Sequence, residues 1–488
     1  MNFDFEDEDF DDIPQENLEE KFKFFKKYLR NPNNNDAQKP GLEIIEPLVE
    51  YSIESQRYTE ALEFCNIWLD YLPDSIEPKI KKALVLQNLR KITQAEELIN
   101  EVLAISPTEY EALIIKASIL DLKGNFIESL NIIDYMIDEF GDNEDLVFQK
   151  AILLQSASDY DNSIKLLLSL LHKDNTRYDF NFELAYTYNL KGDFKKAIKI
   201  YSQLLDEYPY DDNIWYNLGV TYNSLCRYNK AIECYNYAIT IEAENFAAWY
   251  NKGNSYLSLG RIKRAIDCYN EALKIAPKDF DATFSLATAF SDNQQYLSSI
   301  EYFTKTLALN PKHYQSYIGR GLCYESIENL TRALDDYLKA YEISQKDPEL
   351  LFALSEVYYN LNDFDKSIDM LDKIIKTHPN NIDILYEVII AIYDFGVEDK
   401  ALELIKILEK LDYFNYEVHY LKAMILASLG QYKRSALSLA KSIKLNIAVL
   451  NKSKNDFVEL VPEIEQYYDM VDMFLHKVTF RHTNDTIS

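Results

Sequence analysis

The stretches NIWYNLGVTY at residues 213–222 and AAWYNKGNSY at residues 247–256 share a Trp-Tyr-Asn-x-Gly-x-x-Tyr phrase, written twice 34 residues apart. A fixed spacing of that length marks stacked structural units, and the period extends in both directions. With Trp215 and Trp249 in the fourth place, units begin at Leu42, Ile76, Tyr110, Glu144, Tyr178, Asp212, Phe246, Phe280, Tyr314, Pro348, Ile382 and Tyr416, and fill 42–449 without insertion or deletion. The twentieth place is Ala or Ser in every unit, and the eighth is small in all but two, Val49 and Ile389. Small residues at two fixed places bring two backbones close together once per unit.

Within a unit, Trp215, Leu218, Gly219 and Tyr222 follow helical spacing, as do Ala231, Tyr235 and Ala238, so each half predicts one helix with one apolar stripe. Short stretches such as Leu190–Lys191–Gly192 turn the first helix into the second. Pro73, Pro107, Pro209, Pro277, Pro311 and Pro379 share the thirty-second place, where proline ends a helix. One hairpin cannot bury both stripes, so neighbours must stack. These residues resemble the tetratricopeptide repeat: large at place 4, small at 8, aromatic at 11, Ala at 20, aromatic at 24, Ala at 27 and Pro at 32. The aromatic pair at places 11 and 24 (Tyr222 with Tyr235, Tyr256 with Tyr269) gives way to aliphatics towards both ends (Leu86 with Ile99, Leu426 with Leu439). The resemblance implies an all-α fold, a right-handed α-solenoid or superhelix of about twelve 34-residue helix-turn-helix hairpins.

Both ends of such a stack need closing. An acidic tail is expected at 1–13, an N-terminal capping helix and loop at 14–41, twelve tandem repeats at 42–449, and a C-terminal capping helix and tail at 450–488. Leu18, Phe22, Phe25 and Leu29 form the first cap's stripe. Phe457, Leu460, Ile464, Tyr467, Tyr468, Val471 and Phe474 form the second, with Pro462 placed to start its helix. A partner-binding helix is the other reading of that C-terminal stripe. The tail FDFEDEDFDD mixes three phenylalanines with seven acids, and reads as a solvating segment, a recognition peptide or a cover for basic residues of the chain itself.

With 80 acidic against 51 basic residues, the formal charge of −29 repels phosphate backbones and anionic lipid, so neither nucleic acid nor membrane is an expected partner. The acidic N-terminus has no signal-peptide pattern, and a cytoplasmic location is expected. The five cysteines include no C-x-x-C pair, and the six histidines show no ligand spacing, so no metal and no cofactor are expected. Cys234 and Cys268, both at place 23, read as buried small hydrophobes rather than a disulfide. No phosphate-cradling or nucleophile motif is present, which points away from an enzyme.

In the family this chain resembles, the first helices line a concave groove with places 2, 5, 6, 9, 12 and 13. Place 5 then gives an aromatic ladder that includes Phe182, Tyr216, Tyr250 and Phe284. Beside it lie Asn217 and Asn251 at place 6, Asn254 at place 9, and Asn189 and Asn223 at place 12. Aromatic anchors with side-chain amides suit an extended peptide or a helix, which makes a protein-interaction scaffold or adaptor the expected function. Self-assembly into a homo-oligomer is the alternative, with a small-ligand sensor inside the superhelix further behind. The clamp of basic residues by which some family members grip acidic chaperone tails is missing. Lys81 is the sole basic residue at places 2, 5, 6 and 9, while acids such as Glu43, Glu50, Glu77, Glu111, Glu183 and Glu417 are frequent in the groove. A neutral or basic protein or peptide partner is therefore expected.

Overall fold

The period of the sequence reappears as helix boundaries. A computed structural model describes residues 15–30, 39–141 and 143–477, and among the described residues there are 27 α-helices and no strand. The backbone gathers into two units, Met1–Ile241 and Glu242–Ser488. In the first, α1 (Gln15–Arg30) precedes the hairpins α2–α3 (Leu42–Glu54, Tyr58–Tyr71), α4–α5 (Ile76–Asn88, Ile92–Ile105), α6–α7 (Tyr110–Leu122, Phe126–Phe140), α8–α9 (Glu144–Ser156, Tyr160–Lys173), α10–α11 (Tyr178–Lys191, Phe194–Glu207) and α12–α13 (Asp212–Ser224, Tyr228–Ile241). The second holds α14–α15 (Phe246–Ser258, Ile262–Ile275), α16–α17 (Phe280–Asp292, Tyr296–Leu309), α18–α19 (Tyr314–Ser326, Leu330–Ile343), α20–α21 (Pro348–Asn360, Phe364–Thr377), α22–α23 (Ile382–Asp394, Glu398–Leu411) and α24–α25 (Tyr416–Ser428, Tyr432–Leu445). It ends with α26 (Val449–Asp456) and α27 (Ile464–Leu475). Every first helix starts at the first place of a repeat.

Local chemistry sets these limits. The Asp211, Asn245, Asp279, Asp347, Asn381 and Asn415 side chains accept from the first-turn amides of the helices they precede. The turn between the two helices of each hairpin passes through one left-handed residue at place 15, with φ from 55° to 87° in all twelve hairpins. Five of these are glycine; the others are Gln56, Arg90, Ser158, Cys226, Gln294, Glu328 and Asn362. Place 20 is small because the first helix lies directly against it. Ser129, Ser299 and Ser435 hydroxyls donate across that contact to the place-8 carbonyls of Ala117, Ala287 and Ala423 at 2.7, 2.8 and 2.7 Å. A β-carbon added to Gly219 would stand 2.6 Å from Cε1 of the fully buried Tyr235.

In each unit, second helices pack on the first helix of the next hairpin, and several neighbouring first helices also touch, α4 with α6 and α10 with α12 among them. Phe22 of α1 is buried, with its ring edge-on to Tyr51 and Phe64 at centroid distances of 5.7 and 6.0 Å. At the other end the sequence predicts Pro462 at a helix start, whereas α27 begins two residues later behind Glu463, and 457–463 break the expected stripe. Phe457, Tyr467 and Val471 from that stripe are nonetheless fully buried. Phe457 stacks on Tyr467 at 5.5 Å, and the Tyr467 hydroxyl hydrogen-bonds with Ser435 Oγ at 2.7 Å. The acidic tail, most of the 31–40 loop and residues 478–488 lie outside the described residues.

Candidate functional site

All nine residues expected to face a groove sit on first helices, Phe182 and Asn189 on α10, Tyr216, Asn217 and Asn223 on α12, Tyr250, Asn251 and Asn254 on α14, and Phe284 on α16, and all nine are half-buried. The place-5 rings reach half-burial by leaning on the place-24 aromatic of their own hairpin. Phe182 meets Tyr201 at 5.9 Å, Tyr216 meets Tyr235 at 6.0 Å, Tyr250 meets Tyr269 at 5.8 Å and Phe284 meets Phe303 at 5.9 Å. Each ring is thus held in place by the buried aromatic of its own hairpin. Tyr178, Phe246 and Phe280, one turn earlier, stack on Phe182, Tyr250 and Phe284.

The amides are less available than their spacing implies. Asn217 Nδ2 donates to its own helix at Asn213 O, 2.9 Å, and Asn254 Oδ1 accepts from the Tyr269 hydroxyl at 2.6 Å. Trp215 stacks on Tyr237 at 4.4 Å and its Nε1 donates to Pro209 O. At the C-terminal end of the ladder Tyr420 is closed off, because its hydroxyl donates to Asp456 Oδ2 at 2.6 Å and Lys452 stands over its ring. A cavity of about 190 Å³ remains there, lined by Tyr386, Tyr416, Glu417, Tyr420, Asn446 and Lys452.

Polar contacts that sequence reasoning missed join successive first helices at places 5 to 13. In the first unit, Gln87 donates to Ser118, Ser156 donates to Asp121 at 3.1 Å, and Gln155 donates to both Glu183 at 3.1 Å and Thr187 at 2.7 Å. The signal was present, since place 12 reads Gln87, Asp121, Gln155, Asn189 and Asn223 in five consecutive repeats. In the second unit Tyr250 Oη lies 3.3 Å from Ser285 Oγ and Tyr393 Oη 2.8 Å from Ser428 Oγ.

Lys81, the sole cation at the inner places, is held 3.6 Å from both Glu50 and Glu111. Burial, then the charges of Glu77 and Glu50, push the Glu46 carboxyl up. Cys234 and Cys268 are free and buried, and burial pushes their thiols up to about 12 and about 11. Among the described residues no group of His, Cys, Asp and Glu could hold a metal ion, and no helix is long and apolar enough to cross a membrane.

Sequence profiles of the tetratricopeptide repeat match residues 148–212, 213–245, 246–279, 284–349, 349–381 and 416–446, more than half of the chain. The chain belongs to the tetratricopeptide repeat family. No curated protein matches this tetratricopeptide repeat chain. Among solved structures it is similar to YrrB, described as a TPR protein with an unusual peptide-binding site, at 21% identity over 38% of this chain and 96% of that one, with a TM-score of 0.35. It is also similar to MamA (41 to end) from Desulfovibrio magneticus RS-1, at 19% identity over 34% and 93% of the two chains and a TM-score of 0.33. Similarity to a chain of the APC/C hetero-tetramer Cut9-Hcn1 spans 93% of this tetratricopeptide repeat chain and 98% of the other, at 14% identity and a TM-score of 0.35.

Proposed function

We propose that this chain is a non-enzymatic protein-interaction scaffold that binds a peptide or helical segment of a neutral or basic partner on the face formed by its first helices. The family membership supports a protein-interaction role. The observation that carries the rest is that, within each unit, place-5 rings on the first helices are half-buried and braced by a buried aromatic of their own hairpin. Partly buried aromatics held in place bind with little loss of side-chain freedom. The acids along the same helices, with Lys81 already neutralised, favour a partner without excess negative charge.

A photo-crosslinking amino acid placed at Asn217 or Asn251, compared with the exposed second-helix position Asn236, tests this. Partner adducts from the first-helix positions and not from position 236 are expected. Adducts at 236 alone would move the interaction surface to the second helices.

A further inference from the structure

The first helices of the second unit end beside a cavity with an aromatic and acidic lining. About 190 Å³ is left between α22, α24 and α26, where Tyr386, Tyr416 and Tyr420 share the wall with Glu417, Asn446 and Lys452. Glu417 and Lys452 are exposed, and Tyr386 and Tyr416 are half-buried, so the wall can be reached from solvent. Two of the three hydroxyls are already engaged. Tyr416 Oη donates to Glu417 Oε1 at 3.0 Å, and Tyr420 Oη donates to Asp456 Oδ2 at 2.6 Å. What these tyrosines still offer a visitor is ring surface.

The charge around those rings is negative. Glu417 accepts from the Tyr416 hydroxyl and forms no ion pair among the described residues. Burial, then the charge of Glu417, push the Tyr386 hydroxyl up, which places that carboxylate near a second ring of the cavity. Asp383, one turn before Tyr386 on the same side of α22, is exposed and likewise forms no ion pair among the described residues. Tyrosine faces and uncompensated carboxylates attract the same kind of group, a cation that lies well on aromatic rings.

The chain itself places one such cation here. The Lys452 ammonium has no carboxylate partner among the described residues and stands over the Tyr420 ring, 5.1 Å from its centroid. It covers Tyr420 and leaves Tyr386, Tyr416 and Glu417 for another. The cavity is small, and Ala448 and Val449 add apolar lining. A compact ammonium on a slim methylene stem suits that shape better than a broad guanidinium plane.

We propose that this cavity is a binding site for a lysine side chain presented by a basic segment of a partner protein, with the stem on Ala448 and Val449 and the ammonium against Glu417 and the rings of Tyr386 and Tyr416. This deepens, and rests on, the reading of the first-helix face as the partner surface.

The test titrates the full chain at low ionic strength with an Ala/Ser peptide carrying one central lysine, and with the same peptide carrying norleucine, which keeps the stem and loses the ammonium. The lysine peptide is expected to bind roughly tenfold tighter than the norleucine peptide. Glu417→Gln and Tyr386→Leu are each expected to remove most of that preference, and Lys452→Met to tighten lysine-peptide binding by removing the competing ammonium. Glu403→Gln, which removes an exposed acid of α23, is expected to change nothing. Glu417, Lys452 and Glu403 are exposed, so these three variants should keep the parent's thermal midpoint. No binding of the lysine peptide, equal affinity for the two peptides, or weaker binding to Lys452→Met would overturn the site. Equal losses in Glu417→Gln and Glu403→Gln would overturn it too, by marking a general attraction to an acidic chain. Should the site fail in any of these ways while partner adducts form at positions 217 or 251, the first-helix surface stands without it.

Discussion

Arg320 and Asp336 show what a single buried pair does for a hairpin. Arg320 Nε and Nη2 donate to the two Asp336 oxygens, both at 2.7 Å, and Nη1 donates to Thr304 Oγ1 at 2.9 Å. Asp336 is 3% exposed, so Asp336→Ala strands a buried cation and is expected to cost about 3–5 kcal/mol in urea unfolding. Arg320→Met/Asp336→Leu should recover most of that loss, and a double variant as unstable as the single one would contradict the pairing argument. Glu409 gives a pH-dependent case. The neighbouring His419 ring, then Lys422 and Lys441, hold its carboxyl down to about 2 against burial. A depressed carboxyl stabilises above the ordinary carboxylate range, and that stability is lost as pH falls towards about 2. Glu409→Gln is expected to cost about 2–3 kcal/mol at neutral pH, with the gap between variant and parent closing on acidification; a constant gap would refute the assignment.

At the level of the hairpin, the twelve left-handed turns make the clearest prediction. Non-glycine residues pay roughly 1 kcal/mol or more to adopt that backbone, partly offset by the greater freedom glycine gains when unfolded. Arg90→Gly and Gln294→Gly, at φ 60° in both cases, should each raise stability by about 0.5–1 kcal/mol in chemical unfolding, and a loss would show that the side chain holds the turn. These turns also mark a limit of legibility. Place 20 could be read because its small residues answer a contact between two backbones, and three of its five serines turned out to donate across it. Place 15 could not, because seven side chains that prefer other conformations are carried into it by the packing on either side. The helix start behind Glu463 was hidden for a related reason: Pro462 is compatible with several positions ahead of a helix, and the burial of Phe457 against Tyr467 decides among them. In the candidate site, spacing located the rings but not the prior engagement of Asn217 and Asn254, which depends on neighbours one turn and one helix away.

For the whole molecule, a charge of −29 and first helices rich in acids argue for partners that bring donors and positive charge. Repeats that contact mainly their neighbours distribute stability along the chain, while places 8 and 20 keep each hairpin closed. The most direct measurement compares protein partners captured by the parent with those captured by Asn217→Arg/Asn251→Arg, and by the second-helix control Asn229→Arg/Asn236→Arg. Asn217 and Asn251 are half-buried on first helices, whereas Asn229 and Asn236 are exposed on α13. Partners retained by the parent and the control but lost from the first-helix variant are the expected result. Identical partners in all three captures would contradict recognition on the first-helix face.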